Sequence, residues 1–299
     1  FTLIQTNLYP NGVAFDLTVS GTMLLSAGAA PYDASMSFSN TTGDYTFGAL
    51  VVESGAKMYL TAGITTFTDL AEGSYAIKVD ADATLYHNSG TVTCAKIAGG
   101  VQELWMEEQD LYNLNIAPVG GTIVYISNNS PGLTVANDLN VTAGKTFKTF
   151  GAGNSRPLTV SGTATVSGTL GVATETSDWT FGALDIKSGG TYIATTGTTK
   201  LYGKTGVTYT QTGTFTHNDG LFYVSGGSQQ MKWGDALHGP FYDLKSDGTG
   251  NEFRGAELKV ENSLIIASGY ISPSYNGGSG KVWTFGTTTA AAYISGTAA

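Results

Sequence analysis

Asp44-Tyr-Thr-Phe-Gly-Ala-Leu-Val-Val-Glu-Ser-Gly55 returns later in the chain as Asp178-Trp-Thr-Phe-Gly-Ala-Leu-Asp-Ile-Lys-Ser-Gly189. Its aromatic-Thr-Phe-Gly heart returns once more as Trp283-Thr-Phe-Gly286. Self-similarity at a long spacing is the mark of a repeat architecture. Working outward from this block, Thr84-Leu-Tyr-His-Asn-Ser-Gly90 matches Thr214-Phe-Thr-His-Asn-Asp-Gly220, and Leu111-Tyr-Asn-Leu114 matches Phe241-Tyr-Asp-Leu244. Leu133-Thr-Val-Ala-Asn-Asp-Leu-Asn-Val-Thr-Ala-Gly144 matches Leu258-Lys-Val-Glu-Asn-Ser-Leu-Ile-Ile-Ala-Ser-Gly269. The offsets drift only slightly (178 − 44 = 134, 214 − 84 = 130, 258 − 133 = 125), so insertions and deletions belong in loops on a common scaffold. The order assigns residues 1–132 to a first β-repeat unit, 133–257 to a second, and 258–299 to a partial third.

Inside each repeat a finer rhythm appears. Leu17-Thr-Val-Ser-Gly, Leu50-Val-Val-Glu-Ser-Gly and Leu158-Thr-Val-Ser-Gly-Thr-Ala-Thr-Val-Ser-Gly168 alternate apolar with small polar residues and stop at glycine. That is the period-two pattern of short, half-buried strands, with glycine supplying the tight stops. Strands this short cannot bury a face alone. Without helical crossovers, they read as an all-β, elongated β-solenoid (β-helix), right-handed or triangular, whose turns stack in two long internal repeats and part of a third. A lipid-facing barrel needs strands of about 9 to 11 residues, longer than most here. The one helix-like stretch is Gln102 to Leu114, where Leu104, Leu111 and Leu114 fit a helical stripe. Its second copy, Met231 to Pro240, holds helix-breaking Gly and Pro. Both therefore read as excursions on the solenoid wall, each carrying an exposed-looking tryptophan.

Composition narrows the partners. The 299 residues include 41 glycines and one cysteine, and only 12% are charged; glycine is thus about twice its usual share and charge about half. Helical bundles are excluded by this usage, and disorder by the 41% of apolar residues. A net charge of −9 without a basic run repels a phosphate backbone, so nucleic acid is not an expected partner. No apolar stretch reaches the roughly 20 residues of a membrane-spanning helix. Lone Cys94 forms no internal disulfide. Beginning at Phe1, the chain reads as a processed product, a fragment or part of something longer.

The His-Asn-x-Gly turns at His87 to Gly90 and His217 to Gly220 are followed by aromatic-Tyr-Asn/Asp-Leu at Leu111 to Leu114 and Phe241 to Leu244. The Leu-x-Val-x-Asn-x-Leu blocks at Leu133 to Gly144 and Leu258 to Gly269 complete the set. Together they resemble repeats of β-solenoid proteins of phage fibres and bacterial surface adhesins. The resemblance covers most of the chain and transfers no catalytic residue. It implies a structural surface-fibre protein, on a virion or in an extracellular or cell-surface setting, that forms a rigid shaft. Its expected partners are copies of itself, as a trimer or an end-to-end polymer. The alternatives are an adhesin or receptor-binding module contacting cell-surface glycans, and a polysaccharide depolymerase.

Candidate side chains are few. Trp105, Tyr112, Trp233 and Tyr242 could present flat rings to a glycan or a partner, and core packing explains them equally well. Asp80 and Asp82, on one face of Lys78-Val-Asp-Ala-Asp-Ala-Thr84, could offer oxygens to a hard cation; a solvent-facing strand is the plainer account. Glu103, Glu107, Glu108 and Asp110 are dense enough to suggest paired carboxylates, but the second copy offers only Asp235, so a solvated acidic loop is favoured. His87 and His217 precede Asn-x-Gly turns that form without metal, and zinc would need further ligands. Asn40, Asn128 and Asn140 match the glycosylation acceptor pattern, as expected by chance in a Thr-rich chain. No cofactor is called for.

Overall fold

A computed structural model describes residues 2–4, 7–8, 16–26, 35–36, 42–71, 75–97, 99–119, 123–149, 155–233, 240–248, 250–254, 257–268, 271–272, 282–285 and 293–296. The described residues are strands, turns and connections, with no α-helix. The chain is an all-β β-solenoid of about 9 parallel, stacked turns. It divides into two compact units, Phe1–Phe150 and Gly151–Ala299.

In the first unit, strand Leu17–Ser26 pairs with Tyr45–Val52, and the latter then feeds two shorter strands, Ile64–Phe67 and Tyr75–Val79. From there two ladders continue coil by coil: Ile64–Phe67 to Thr91–Cys94, Asn113–Ile116 and Leu139–Val141, and Tyr75–Val79 to Val101–Met106, Ile123–Ile126 and Thr146–Thr149. A third ladder joins Asn7–Leu8, Ser35–Met36, Lys57–Tyr59 and Thr84–Tyr86. Every pairing is parallel, so the wall has three faces. A parallel ladder requires the chain to travel around before returning, and here it does so in coils of 20 to 28 residues (Tyr45 to Thr65, Leu17 to Tyr45).

The second unit repeats the plan. Leu158–Val166 pairs with Trp179–Ile186, which splits into Thr198–Tyr202 and Gly206–Gln211; these lead to Leu221–Ser225 and Gln229–Trp233, then to Phe241–Asp247 and Asn251–Arg254.

The recurring aromatic-Thr-Phe-Gly block occupies one structural position. Leu17↔Tyr45 and Val19↔Phe47 have their counterparts in Leu158↔Trp179 and Val160↔Phe181, and again in Leu258↔Trp283 and Val260↔Phe285. Its glycine has a steric reason. A Cβ on Gly48 would stand 2.7 Å from the carbonyl oxygen of Gly21, and one on Gly182 2.1 Å from that of Ser161. Both sit where the ladder shifts register, between Val19 and Thr22 or between Val160 and Thr163.

Alternation sends one set of side chains inward. Met23, Leu25, Leu50, Val52, Ile77 and Val79 form an aliphatic interior in the first unit. Rings join the aliphatic residues in both interiors; in the second unit Tyr192 stacks on Phe215 at 5.9 Å and 17°, and Phe222 and Phe241 lie 5.0 Å apart. The buried phenols are paired, Tyr192 with the Thr199 hydroxyl at 2.7 Å and Tyr209 donating to Gln211 Oε1 at 2.8 Å.

The stretch from Gln102 to Leu114 is neither helix nor excursion. It forms strands Val101–Met106 and Asp110–Leu111 and enters Asn113–Ile116, all within the ladders. Gln102 points inward, where its amide donates to Phe67 O at 3.3 Å and its oxygen accepts the Lys96 N–H at 3.3 Å. These bonds satisfy a buried polar side chain that the leucine spacing alone conceals.

Candidate functional site

The two tryptophans expected to be equivalent face opposite ways. In Val101–Met106, Leu104 and Met106 are buried, so alternation turns Trp105 outward. In Gln229–Trp233, Met231 and Trp233 share the inward parity and Lys232 is exposed. Trp233 is 6% exposed and packs edge-on against Phe241 and Phe253 at 6.4 and 6.1 Å. The expected exposure is therefore absent at Trp233, which belongs to the core.

Tyr112 and Tyr242 do correspond. Each is half-buried under the histidine of the preceding coil, His87 to Tyr112 at 5.4 Å and His217 to Tyr242 at 5.6 Å between ring centroids. The turns are locally determined: Asn88 and Ser89, like Asn218 and Asp219, have positive φ, and Gly90 and Gly220 donate back to the histidine carbonyl. Each Nδ1 accepts a main-chain N–H, from Ser89 at 3.0 Å and from Asp219 at 2.9 Å. Each Nε2 faces a carboxylate, Asp110 at 3.8 Å and Glu261 at 3.2 Å. The histidines thus tie a turn to its neighbouring coils.

The acidic candidates disperse. Asp80 and Asp82 are not on a strand face, because strand Tyr75–Val79 ends before them and they lie in a turn. Asp80 pairs with Lys78 Nζ at 3.1 Å, and the Asp82 carbonyl accepts from Gly55 N–H at 3.3 Å. Glu103 is buried in its strand, Glu107 accepts from Trp105 Nε1 at 2.9 Å, Glu108 is in a positive-φ turn, and Asp110 faces His87. Asp235 and Asn40 lie outside the described residues. Among the described residues no group of three His, Cys, Asp or Glu side chains is placed to hold a metal ion. Asn140 donates to Asn115 Oδ1 at 2.9 Å, one rung of an amide ladder. Cys94 is a buried free thiol, and burial pushes its pKa up to about 12.

The feature that the sequence did not single out is a groove of about 280 Å³ on the outer wall of the first unit. Leu24, Val51 and Ala71 line it, with Thr22, Glu53, Tyr75 and Lys78 completing the rim. Its apolar residues form a small cluster with Ala49. Val51 is buried although it points away from the interior that Leu50 and Val52 fill. Trp105 stands behind the rim, its ring 5.4 Å from that of Tyr75 and beneath Lys78 Nζ at 4.9 Å. The Tyr75 hydroxyl accepts from Asn129 Nδ2 at 3.2 Å, Lys78 is held by Asp80, and Glu53 accepts the Ser26 hydroxyl. One signal was present in the sequence: Val51 and Glu53 stand where the otherwise matching second block has Asp185 and Lys187. Comparison with protein-family profiles, curated proteins and solved structures found no match to this chain.

Proposed function

We propose that this chain is a structural surface-fibre protein, a β-solenoid shaft segment on a virion or cell surface, that works by stiffness and self-association rather than by catalysis. The observation that supports this reading is the pairing of coil on coil along three faces, with the aromatic-Thr-Phe-Gly block returning in one register at three places. Within each unit, main-chain ladders stacked over an apolar interior resist bending, because coils are hydrogen-bonded to their neighbours. The polar side chains with clear partners staple coils together: Asn115 to Asn140, His217 to Glu261, Asn262 donating to Asp243. Uncovered strand edges at the end of a stack favour association with further copies.

Sedimentation velocity with negative-stain electron microscopy tests the reading. Elongated particles that are homo-oligomeric, or joined end to end, are the expected outcome. A compact monomer at micromolar concentration overturns it.

A further inference from the structure

The outer wall of the first unit differs from that of the second at matched positions. In the first, Leu24, Val51, Lys78 and Trp105 follow one another across the ladder. In the second, Thr165, Asp185, Thr210 and Lys232 occupy the corresponding register. The same scaffold thus stands with a polar column, so folding does not require the apolar one. The connection beside it differs too. Seven residues separate Phe67 from Tyr75, whereas three separate Tyr202 from Gly206, and the longer connection contributes Ala71, whose N–H donates to Tyr75 O at 2.7 Å. The groove is therefore an addition to the repeat.

We propose that this groove binds a single neutral sugar ring. A pyranose has an apolar face of C–H groups and a rim of hydroxyls, and the groove offers the complement of both. Leu24, Val51 and Ala71 receive the C–H face, and the Tyr75 ring lies alongside. Glu53 has lone pairs beyond the one used by Ser26, and Lys78 has hydrogens beyond those used by Asp80; these accept from and donate to hydroxyls. Charge selects against an acidic sugar, since Asp80 pairs with Lys78 and Glu53 leaves the rim with a net negative charge. A volume of 280 Å³ lies just below the range of about 300–1,000 Å³ typical of drug-sized ligands, which suits one ring rather than a chain. Trp105 is a positioning residue, holding Tyr75 and Lys78 in place. The proposal does not depend on the shaft reading.

Saturation-transfer NMR and titration calorimetry on the whole chain provide the test, with methyl glycosides of neutral hexoses, an N-acetylhexosamine and a uronic acid as probes. Transfer to ring C–H protons of a neutral probe is expected, with the uronic acid bound at least tenfold more weakly. Val51→Asp and Leu24→Thr each introduce the second unit's residue, and each is expected to weaken binding at least tenfold while circular dichroism stays unchanged. If Val51→Asp fails to fold, Leu24→Thr decides. Absence of transfer to every neutral probe, preference for the uronic acid, or undiminished binding in a folded variant overturns the proposal. Particle shape in electron microscopy is read separately, so failure here is distinct from failure of the shaft reading.

Discussion

Gly182 shows how a single hydrogen in place of a side chain sets the wall. An added Cβ would meet the Ser161 carbonyl oxygen at 2.1 Å, and that atom is main chain in a ladder that cannot yield locally. Gly182→Ala is expected to destabilise by about 1–3 kcal/mol, the range for overpacking that forces the backbone to shift, read as a fall in the urea midpoint. Gly189→Ala meets open space and only the positive φ of 80°, so about 1–2 kcal/mol is expected there. Cys94 gives a pH prediction. Burial pushes the folded thiol up to about 12, while an unfolded thiol ionises at about 8.5. Below that value both states hold the proton and stability is unaffected; as pH rises toward 12 the unfolded chain releases it first, and stability is lost. The buried phenols of Tyr192 and Tyr209, also raised by burial, act in the same direction. Urea midpoints at pH 7 and 10.5 should therefore fall with pH, and fall less in Cys94→Ala. A thiol reagent at pH 8 should label Cys94 only after denaturation.

Among the elements, alternation decides which aromatic rings carry stability. Trp233→Ala removes a ring packed on Phe241 and Phe253 and is expected to cost about 3–5 kcal/mol. Trp105→Ala removes a half-buried ring under Lys78 and is expected to cost about 1 kcal/mol, so equilibrium denaturation separates the two by several-fold in free energy. The strand pattern, the glycine stops and the His-Asn-x-Gly turns were legible in the sequence, because each is written in residues adjacent along the chain. The parity of Trp105 against Trp233 was not, since it depends on which residue of each strand enters the ladder. Likewise, leucine spacing suggested a helical stripe from Gln102 to Leu114, because the inward Gln102 is polar and its partners lie on neighbouring segments. The groove was legible only as a mismatch, Val51 against Asp185. Nothing local shows that Ala71 and Tyr75 come to rest beside it.

For the whole molecule, the solenoid rests on one fact: the recurring aromatic-Thr-Phe blocks occupy matched register. An acidic chain with a net charge of −9 and an isoelectric point near 4.7 is expected to leave duplex DNA unshifted in a gel at 50 mM salt, where Lys/Arg–phosphate contacts would be strongest. Acidic polysaccharide incubated with it should keep its viscosity; a fall would point to the depolymerase alternative. The shared register at Leu17↔Tyr45, Leu158↔Trp179 and Leu258↔Trp283 has a genetic consequence. A segment copied from one of these junctions to another arrives with its donors and acceptors already in phase, so unequal recombination can lengthen the gene without retuning the protein. Variation among descendants should then concentrate in copy number and in the outward column, where Leu24 and Val51 in one copy correspond to Thr165 and Asp185 in the other.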